Sequence, residues 1–516
     1  MMSNAHFDKY TNSPEFKAIL KKYEDAVAMG ELVYFDSDDI IDIAEHYHVS
    51  GDLENAEAAV TYCSRLYPDL TTPLLFKARM AIIDYGDIDL ARKYMDMIPE
   101  EDDSLESTYV RAEIMMAEGE EDKAEEFLCR KYSELQECDT SDYDSEDERE
   151  EEEDEPEEES DNGNDRQGFA VDVAMMYCDH GKYDMAMRWL LRIDKPDDSI
   201  RPEFYDSWTR VYLAQEQWTK AEEMADKLID TDAFNATAWL MMSDAQFHNS
   251  HFLDALQSAE YAEAIAPGSP DAYIAKGNCM FALNRLDEAI QCFERYLEIY
   301  PGDPIGELLL ASVLYTQNNI QEAYKHISIL TEKIDSLPQL QAIEALRTSA
   351  SVASKSGDTE LALQCCDRLE GYGTEQQIEA DIIRGAVYTQ ANDIQNAVMY
   401  FSKAAKVSGY DVNVFERIGV TYYQAGLMSV AYNMLKEAIT PYETGEDPHC
   451  PEQALAYLTA VCHELGKRKE YIHYLAMAVD IAPLDISSAV GVLFPPGTEP
   501  KDYLKIELER GKDNIE

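Results

Sequence analysis

Residues 270–303 read PDAYIAKGNCMFALNRLDEAIQCFERYLEIYPGD. In order, the stretch carries Tyr273, Gly277, Asn284, Ala289, Phe293 and Pro301. An Asn, four variable residues and then Ala open an amphipathic run, which predicts a turn followed by a helix. Pro301 stands where that helix must stop, because proline lacks an amide donor and clashes with the preceding turn. Tyr273 and Gly277 precede the turn on one helical face, with the small residue placed for a close crossing of two antiparallel helices.

Working outward from Ala289, the same position holds Ala56, Ala91, Ala124, Ala186, Ala221, Ala255, Ala323, Ala362, Ala397 and Ala431, with Tyr471 in the twelfth place. The spacings are 35, 33, 62, 35, 34, 34, 34, 39, 35, 34 and 40 residues. A period near 34 is that of a helix-turn-helix solenoid unit, and the 62 is one such period plus 28 further residues. Twelve residues before each position stand Ala44, Arg79, Ala112, Ala174, Thr209, Ser243, Gly277, Ala311, Ala350, Gly385, Gly419 and Thr459. All but Arg79 are small, as close packing of paired helices requires. Four residues after it, Val60, Met95, Leu128, Leu190, Phe293, Phe401, Leu435 and Leu475 continue the apolar stripe of the second helix. Pro68, Pro267, Pro301 and Pro483 follow twelve residues after their alanine or tyrosine, as helix stops.

A small residue, an aromatic, a turn Gly or Asn, an Ala, an apolar residue and a terminal Pro at these offsets are similar to the tetratricopeptide repeat. The resemblance covers about residues 37–483, with Arg79 and Tyr471 departing from the pattern and Tyr296 replacing a small residue. It implies an all-α fold, a right-handed superhelix of about twelve helix pairs whose concave groove holds peptides or protein surfaces. The whole chain also resembles the long repeat proteins of this family in Bacteroidota, most of which have no assigned activity.

The expected organisation is an N-terminal capping helix in 1–36, three repeats in 37–136, an acidic linker in 137–166, nine repeats in 167–483 and a C-terminal cap in 484–516. Ser13 and Pro14 supply an N-cap and a first-turn proline, followed by Phe16, Ile19, Leu20, Tyr23 and Val27 on one face and Gly30 as a stop. Pro495 and Pro496 break the chain before a last helix with Leu504 and Leu508 one turn apart. A solenoid needs such caps because its terminal units lack a neighbour.

The chain of 516 residues carries 43 basic and 103 acidic side chains, a formal charge of −60. A polyphosphate is repelled by such a field, so direct binding of nucleic acid is not expected. Residues 137–166 alone hold −16 with almost no apolar side chain, and should be disordered because no face can pack. They read either as an arm that holds a basic protein, as in histone-chaperone members of the family, or as a solvated hinge. The first ten residues are polar, no apolar run approaches the roughly 20 residues that span a bilayer, and the ten cysteines form no CxxC pair. A cytoplasmic protein that does not enter membranes is expected.

No phosphate loop, dinucleotide fingerprint, HExxH or GxSxG elbow occurs, so neither an enzyme, a metal site nor a cofactor is expected. His46 and His48 point to different sides of a helix. Cys462, His463 and His473, with His449 and Cys450, could meet, but Cys462 occupies an apolar position of its repeat. Cys366, beside Cys365, likewise holds a stripe position.

The resemblance places groove-facing side chains three residues before the small residue and one, four and five after it. In the three most regular repeats these are Leu240, Asp244 and Phe247, then Ile274, Asn278 and Phe281, then Leu308, Ser312 and Tyr315. Leu240 and Phe247 lie seven residues, two turns, apart on one stripe, as do their counterparts. The expected site is an apolar ladder with an aromatic rail and polar register contacts. The Lys, Asn and Arg clamp of chaperone-tail-binding relatives is not expected, since Leu240, Ile274 and Asp244 occupy its places and Asn278 alone could donate. An acidic groove of this kind should take a basic or mixed basic and apolar protein segment, more weakly as salt rises. The expected function is a non-catalytic scaffold, with an acidic chaperone for basic proteins as the alternative.

Overall fold

Twelve residues with φ between 56° and 91° stand at Gly51, Gly86, Gly119, Gly181, Glu216, Ser250, Asn284, Asn318, Gly357, Asn392, Gly426 and Gly466. Each lies five residues before one of the twelve positions from Ala56 to Tyr471. The turn closes one helix and opens the next. At Gly51 the amide donates to the His48 carbonyl and the Asp52 amide to that of Tyr47, the paired bonds of a left-handed helix end. Asp52 then accepts from the Asn55 amide and caps the following helix, as Asp87, Asp358 and Asp393 do in their repeats.

This computed structural model describes residues 11, 13–30, 33–99, 102–141 and 162–513, and among them all regular structure is helical. The helices fall into two compact units, Met1–Leu283 and Asn284–Glu516. The first holds α1 (Pro14–Met29), α2 (Ser37–Val49), α3 (Leu53–Leu66), α4 (Thr72–Ile83), α5 (Ile88–Met95), α6 (Leu105–Ala117) and α7 (Glu121–Ser141). It continues with α8 (Asn162–Asp179), α9 (Tyr183–Leu190), α10 (Arg201–Ala214), α11 (Trp218–Thr231), α12 (Ala236–His248), α13 (Phe252–Ile265) and α14 (Pro270–Ala282). The second holds α15 (Leu286–Ile299), α16 (Pro304–Thr316), α17 (Ile320–Lys333), α18 (Gln339–Ser356), α19 (Thr359–Leu369), α20 (Thr374–Gln390) and α21 (Ile394–Val407). It ends with α22 (Val412–Gln424), α23 (Met428–Thr444), α24 (Glu452–Glu464), α25 (Arg468–Ile481), α26 (Pro483–Val490) and α27 (Pro500–Asp513).

Within each unit the first helix of a repeat packs on its own second helix and on the first helix of the next repeat. Thus α4, α6, α8, α10, α12 and α14 form one layer, and α16, α18, α20, α22 and α24 another. The eleven alanines from Ala56 to Ala431 are fully buried, and Tyr471 is 1% exposed. Where the small residue is Gly385 or Gly419, an added Cβ would lie within 2.4 Å of Phe401 or 2.6 Å of Leu435, so the partner helix occupies the space a side chain would need. Arg79 departs from the pattern because it does not sit in the crossing: Ala78 is the buried residue there, and the Arg79 guanidinium reaches Glu113 at 3.3 Å.

The ends depart from expectation in detail. Ser13 caps α1, its hydroxyl accepting from the Phe16 amide at 3.1 Å, and Gly30 ends it. Ala26, however, takes the buried place beside Tyr23 while Val27 is exposed. In α27 the packed face is Tyr503, parallel to Phe494 at 3.9 Å, and buried Glu507, paired with Arg468 and Arg510; Leu508 is exposed. An ion-paired carboxylate therefore replaces the leucine expected there. The helices α7 and α8 end at Ser141 and open at Asn162, inside the bounds expected for the acidic linker, and 142–161 lie outside the described residues. Among the described residues no helix is long and apolar enough to cross a membrane.

Candidate peptide-binding site

The groove positions sit on first helices, where the 3.6-residue period brings residues seven apart to one side. In the first unit, α12 carries Leu240, Asp244 and Phe247, and its neighbour α14 carries Ile274, Asn278 and Phe281. Asp244 is exposed and the other five are half-buried. The Phe247 ring meets Phe252 edge-on at 5.3 Å, while His248 stacks on Trp218 at 4.1 Å and lies 3.5 Å from Asp244. Burial holds the Asp244 carboxyl above its ordinary range, with His248 pulling it down.

The third set lies on α16 in the second unit. Leu308 is buried there, only 6% exposed, and so belongs to the core rather than to a face open to a ligand. The Ser312 hydroxyl donates to the Leu308 carbonyl at 2.8 Å, a local bond that occupies its proton. Tyr315 is half-buried and lines a cavity of about 320 Å³ that opens along α16, α18, α20, α22 and α24. The Lys355 ammonium lies 4.2 Å from the centre of the Tyr315 ring, a cation held against a π face.

Sequence reasoning passed over most of this cavity, although its own offsets contain it. Ser351, Ala386 and Val420 stand one residue after Ala350, Gly385 and Gly419; Ser354 and Thr389 stand four after, and Lys355, Gln390 and Gln424 five after. The rule was applied only to the three most regular repeats, and the cavity lies in the irregular ones that follow.

Residues 208–270 and 247–313 match tetratricopeptide repeat family profiles. Residues 208–313 are tetratricopeptide repeats. A protein described as Protein CTR9 homolog, from Arabidopsis thaliana, is 22% identical over 299 residues, 57% of this chain. The chain spans 27% of that relative's length. Among solved structures it is similar to the APC/C hetero-tetramer Cut9-Hcn1, at 13% identity and a TM-score of 0.38 over 84% of this chain and 95% of that one. It is also similar to yeast Tom70, at 14% identity and a TM-score of 0.33 over 81% and 94%.

The repeats of the first unit carry a second feature, a run of charged side chains at and beside the same offsets. Glu113 and Arg210 each follow the small residue of their repeat, as Asp244 does. Glu113 is 2% exposed; burial raises its pKa and Arg79 opposes the rise. Arg210 pairs with Asp179 at 2.7 Å, and the Tyr109 hydroxyl donates to Asp172 at 2.8 Å. Asp206 stands three before the small Thr209, the place of Leu240 in its repeat. Its carboxyl is pushed up to about 6 by burial, eased by Arg210 and aggravated by Asp179 and Glu203. Asp172 is raised likewise, burial first, with Tyr109 opposing and Glu203 and Glu106 adding to it. The offset rule contains Tyr109, Glu113, Asp179, Asp206 and Arg210, whereas Asp172, two residues before Ala174, lies outside it.

The histidines and cysteines singled out from the sequence are dispersed. His46 meets Phe16 edge-on at 5.3 Å, and His48 lies 2.8 Å from Asp84. His449, His463 and His473 face three different carboxylates, Asp447, Glu464 and Glu443. Cys365, Cys366 and Cys462 are buried, and burial pushes their thiols up to about 11, 12 and 12. Among the described residues no group of three His, Cys, Asp or Glu is arranged to hold a metal ion.

Proposed function

We propose that the chain is a non-catalytic scaffold that holds an extended, basic or mixed basic and apolar protein segment along the first-helix faces of its repeats. The observation that carries this reading is the row of acids on the first-helix faces of the first unit. Asp172, Asp206 and Asp244 stand on α8, α10 and α12 of one layer, Asp206 half-buried and the other two exposed, and each carboxyl is held above its ordinary range. A carboxylate crowded by other acids, as Asp172 and Asp206 are by Glu203, lowers its energy by meeting a cation, so a Lys or Arg side chain is the complementary ligand. Half-buried Phe247 and Phe281 supply apolar contact beside them.

The test is capture of native partners by the full chain and by a variant with Phe247, Phe281 and Tyr315 all changed to Ala. Partner recovery should fall at least about tenfold while the helical circular dichroism signal is kept, since losing 1.4 kcal/mol of contact already gives that factor. Unchanged recovery would overturn the reading.

A pH series checks the acidic part. A raised carboxyl favours the folded state in its protonated form, so its contribution to stability is complete below about pH 3.8 and is lost as pH rises through about 6. At pH 7 Asp206 is therefore charged at a cost to the fold, and a partner's cation relieves that cost. Asp206→Asn should raise the unfolding midpoint at pH 7, flatten the rise in stability on acidification from pH 7 to 4, and weaken capture of basic segments. A variant that binds and melts like the parent across this range would remove Asp206 from the site.

A further inference from the structure

The cavity beneath Tyr315 in the second unit differs in charge from the rest of the molecule. None of the residues that line it is Asp or Glu, in a chain where 103 of 516 residues are acidic. Two of them, Lys355 and Arg417, are cations. Arg417 is already satisfied, its two terminal nitrogens donating to the two oxygens of Glu379 at 2.5 and 2.7 Å. Lys355 is exposed, rests on the Tyr315 ring, and forms no pair with an Asp or Glu among the described residues. At physiological salt charges are screened over about 8 Å, so the local lining outweighs the distant net charge for a group seated here.

The rest of the lining suits an extended chain. The side chains of Ser351, Gln424 and Gln453 make no hydrogen bond to the described residues, so they are free to meet backbone amides and carbonyls. Ile382 and Val420 supply a small apolar wall. A volume near 320 Å³ is at the low end of ligand pockets, room for one side chain and its neighbours. With one cation uncommitted, the site balances a single negative charge.

We infer that this cavity seats the carboxylate of an aspartate or glutamate side chain within an extended peptide, with Lys355 as its counter-ion. The inference rests on the peptide-binding reading above and adds to it an anchor point for an acidic side chain in the second unit, distinct in chemistry from the acids of the first.

The full chain is immobilised at physiological salt and offered three pools of acetylated, amidated decapeptides, with Glu, Gln or Lys fixed at a central position and the others varied among Ala, Leu, Ser, Thr and Tyr. Retained peptides are counted by mass spectrometry. The Glu pool should be retained about tenfold over the Gln pool, the scale of 1.4 kcal/mol. Lys355→Glu and Lys355→Met should both abolish that preference with helical content unchanged, and Lys355→Glu should also increase retention of the Lys pool. Equal retention of the Glu and Gln pools, or a Glu preference that survives Lys355→Glu, overturns the carboxylate assignment and leaves the peptide-binding reading standing. A Gln pool with free C-termini retained as well as the Glu pool assigns the site to chain ends and overturns the side-chain claim. Retention of no pool overturns both readings.

Discussion

Exchanging Gly385 for alanine is expected to destabilise the packing of α20 on α21 by about 1–3 kcal/mol, the usual cost of overpacking a filled core. Helix propensity alone predicts the opposite sign, a gain of about 1 kcal/mol on replacing a helical glycine. Sterics decide. The added Cβ would lie 2.4, 2.5 and 2.7 Å from three carbons of the Phe401 ring, and that ring is 3% exposed and held edge-on against Tyr422 at 5.0 Å. It has nowhere to retreat. Gly168, in α8, meets nothing within 4 Å, so Gly168→Ala should stabilise by up to about 1 kcal/mol. Phe401→Leu should restore part of the loss in the Gly385→Ala background, because the two changes share one contact and are not additive. Hydrogen exchange read by mass spectrometry on peptides from α20, α21 and α8 separates the outcomes; a stabilised α20 in Gly385→Ala would refute the crossing argument. Exchange is the apt readout because a repeat array unfolds locally, and a single global free energy averages the effect away.

A second large effect is expected from Asp381→Ala, about 3 kcal/mol at the lower end of the range for breaking a buried ion pair. Asp381 is fully buried and Arg384 is 4% exposed. Asp381 binds Arg384 at 3.1 Å and Lys403 at 3.1 Å, while Arg384 also binds Asp367 at 2.6 Å and Glu370 at 2.8 Å. Removing one carboxylate strands part of two cations in a poorly solvated site, and the remaining acids limit the damage. Asp381→Asn, which keeps the shape and one acceptor, should cost less. The loss should be confined to exchange in α19, α20 and α21, and equal destabilisation by the two variants would show that packing, not charge, is at stake.

Much of the architecture was legible because it depends on local stereochemistry. Each Gly or Asn before the recurring alanine marked a left-handed turn, and the chain makes that turn in every repeat, including those where Glu216 and Ser250 stand at the position. The alanine and the small residue twelve before it marked one crossing per repeat, since only small side chains let two helices approach. Arg79 was the informative exception: its side chain leaves the crossing for Glu113, a destination in another helix that no periodicity encodes. Of the two leucines expected to pack in α27, Leu504 lies against the core and Leu508 is exposed, because Arg468 and Arg510 make Glu507 the better buried residue at that end.

For the candidate site, the period placed residues on the right helices without saying which were free. Leu240, Phe247, Ile274 and Phe281 remain half-buried, while Leu308, at the same offset as Leu240 and Ile274, is taken by the core. Ser312 spends its proton on its own helix. Sequence by itself determined the helix pairs, their register, the turn chemistry and the acidity, because each follows from residue type and spacing along one chain. Only the tertiary structure decided which side chains stay open, that Asp206 is half-buried while Asp172 and Asp244 are exposed, and that Lys355 borders a cavity lined by no acid. Burial and the local field are set by neighbours distant in sequence, and solvent access depends on how those neighbours pack.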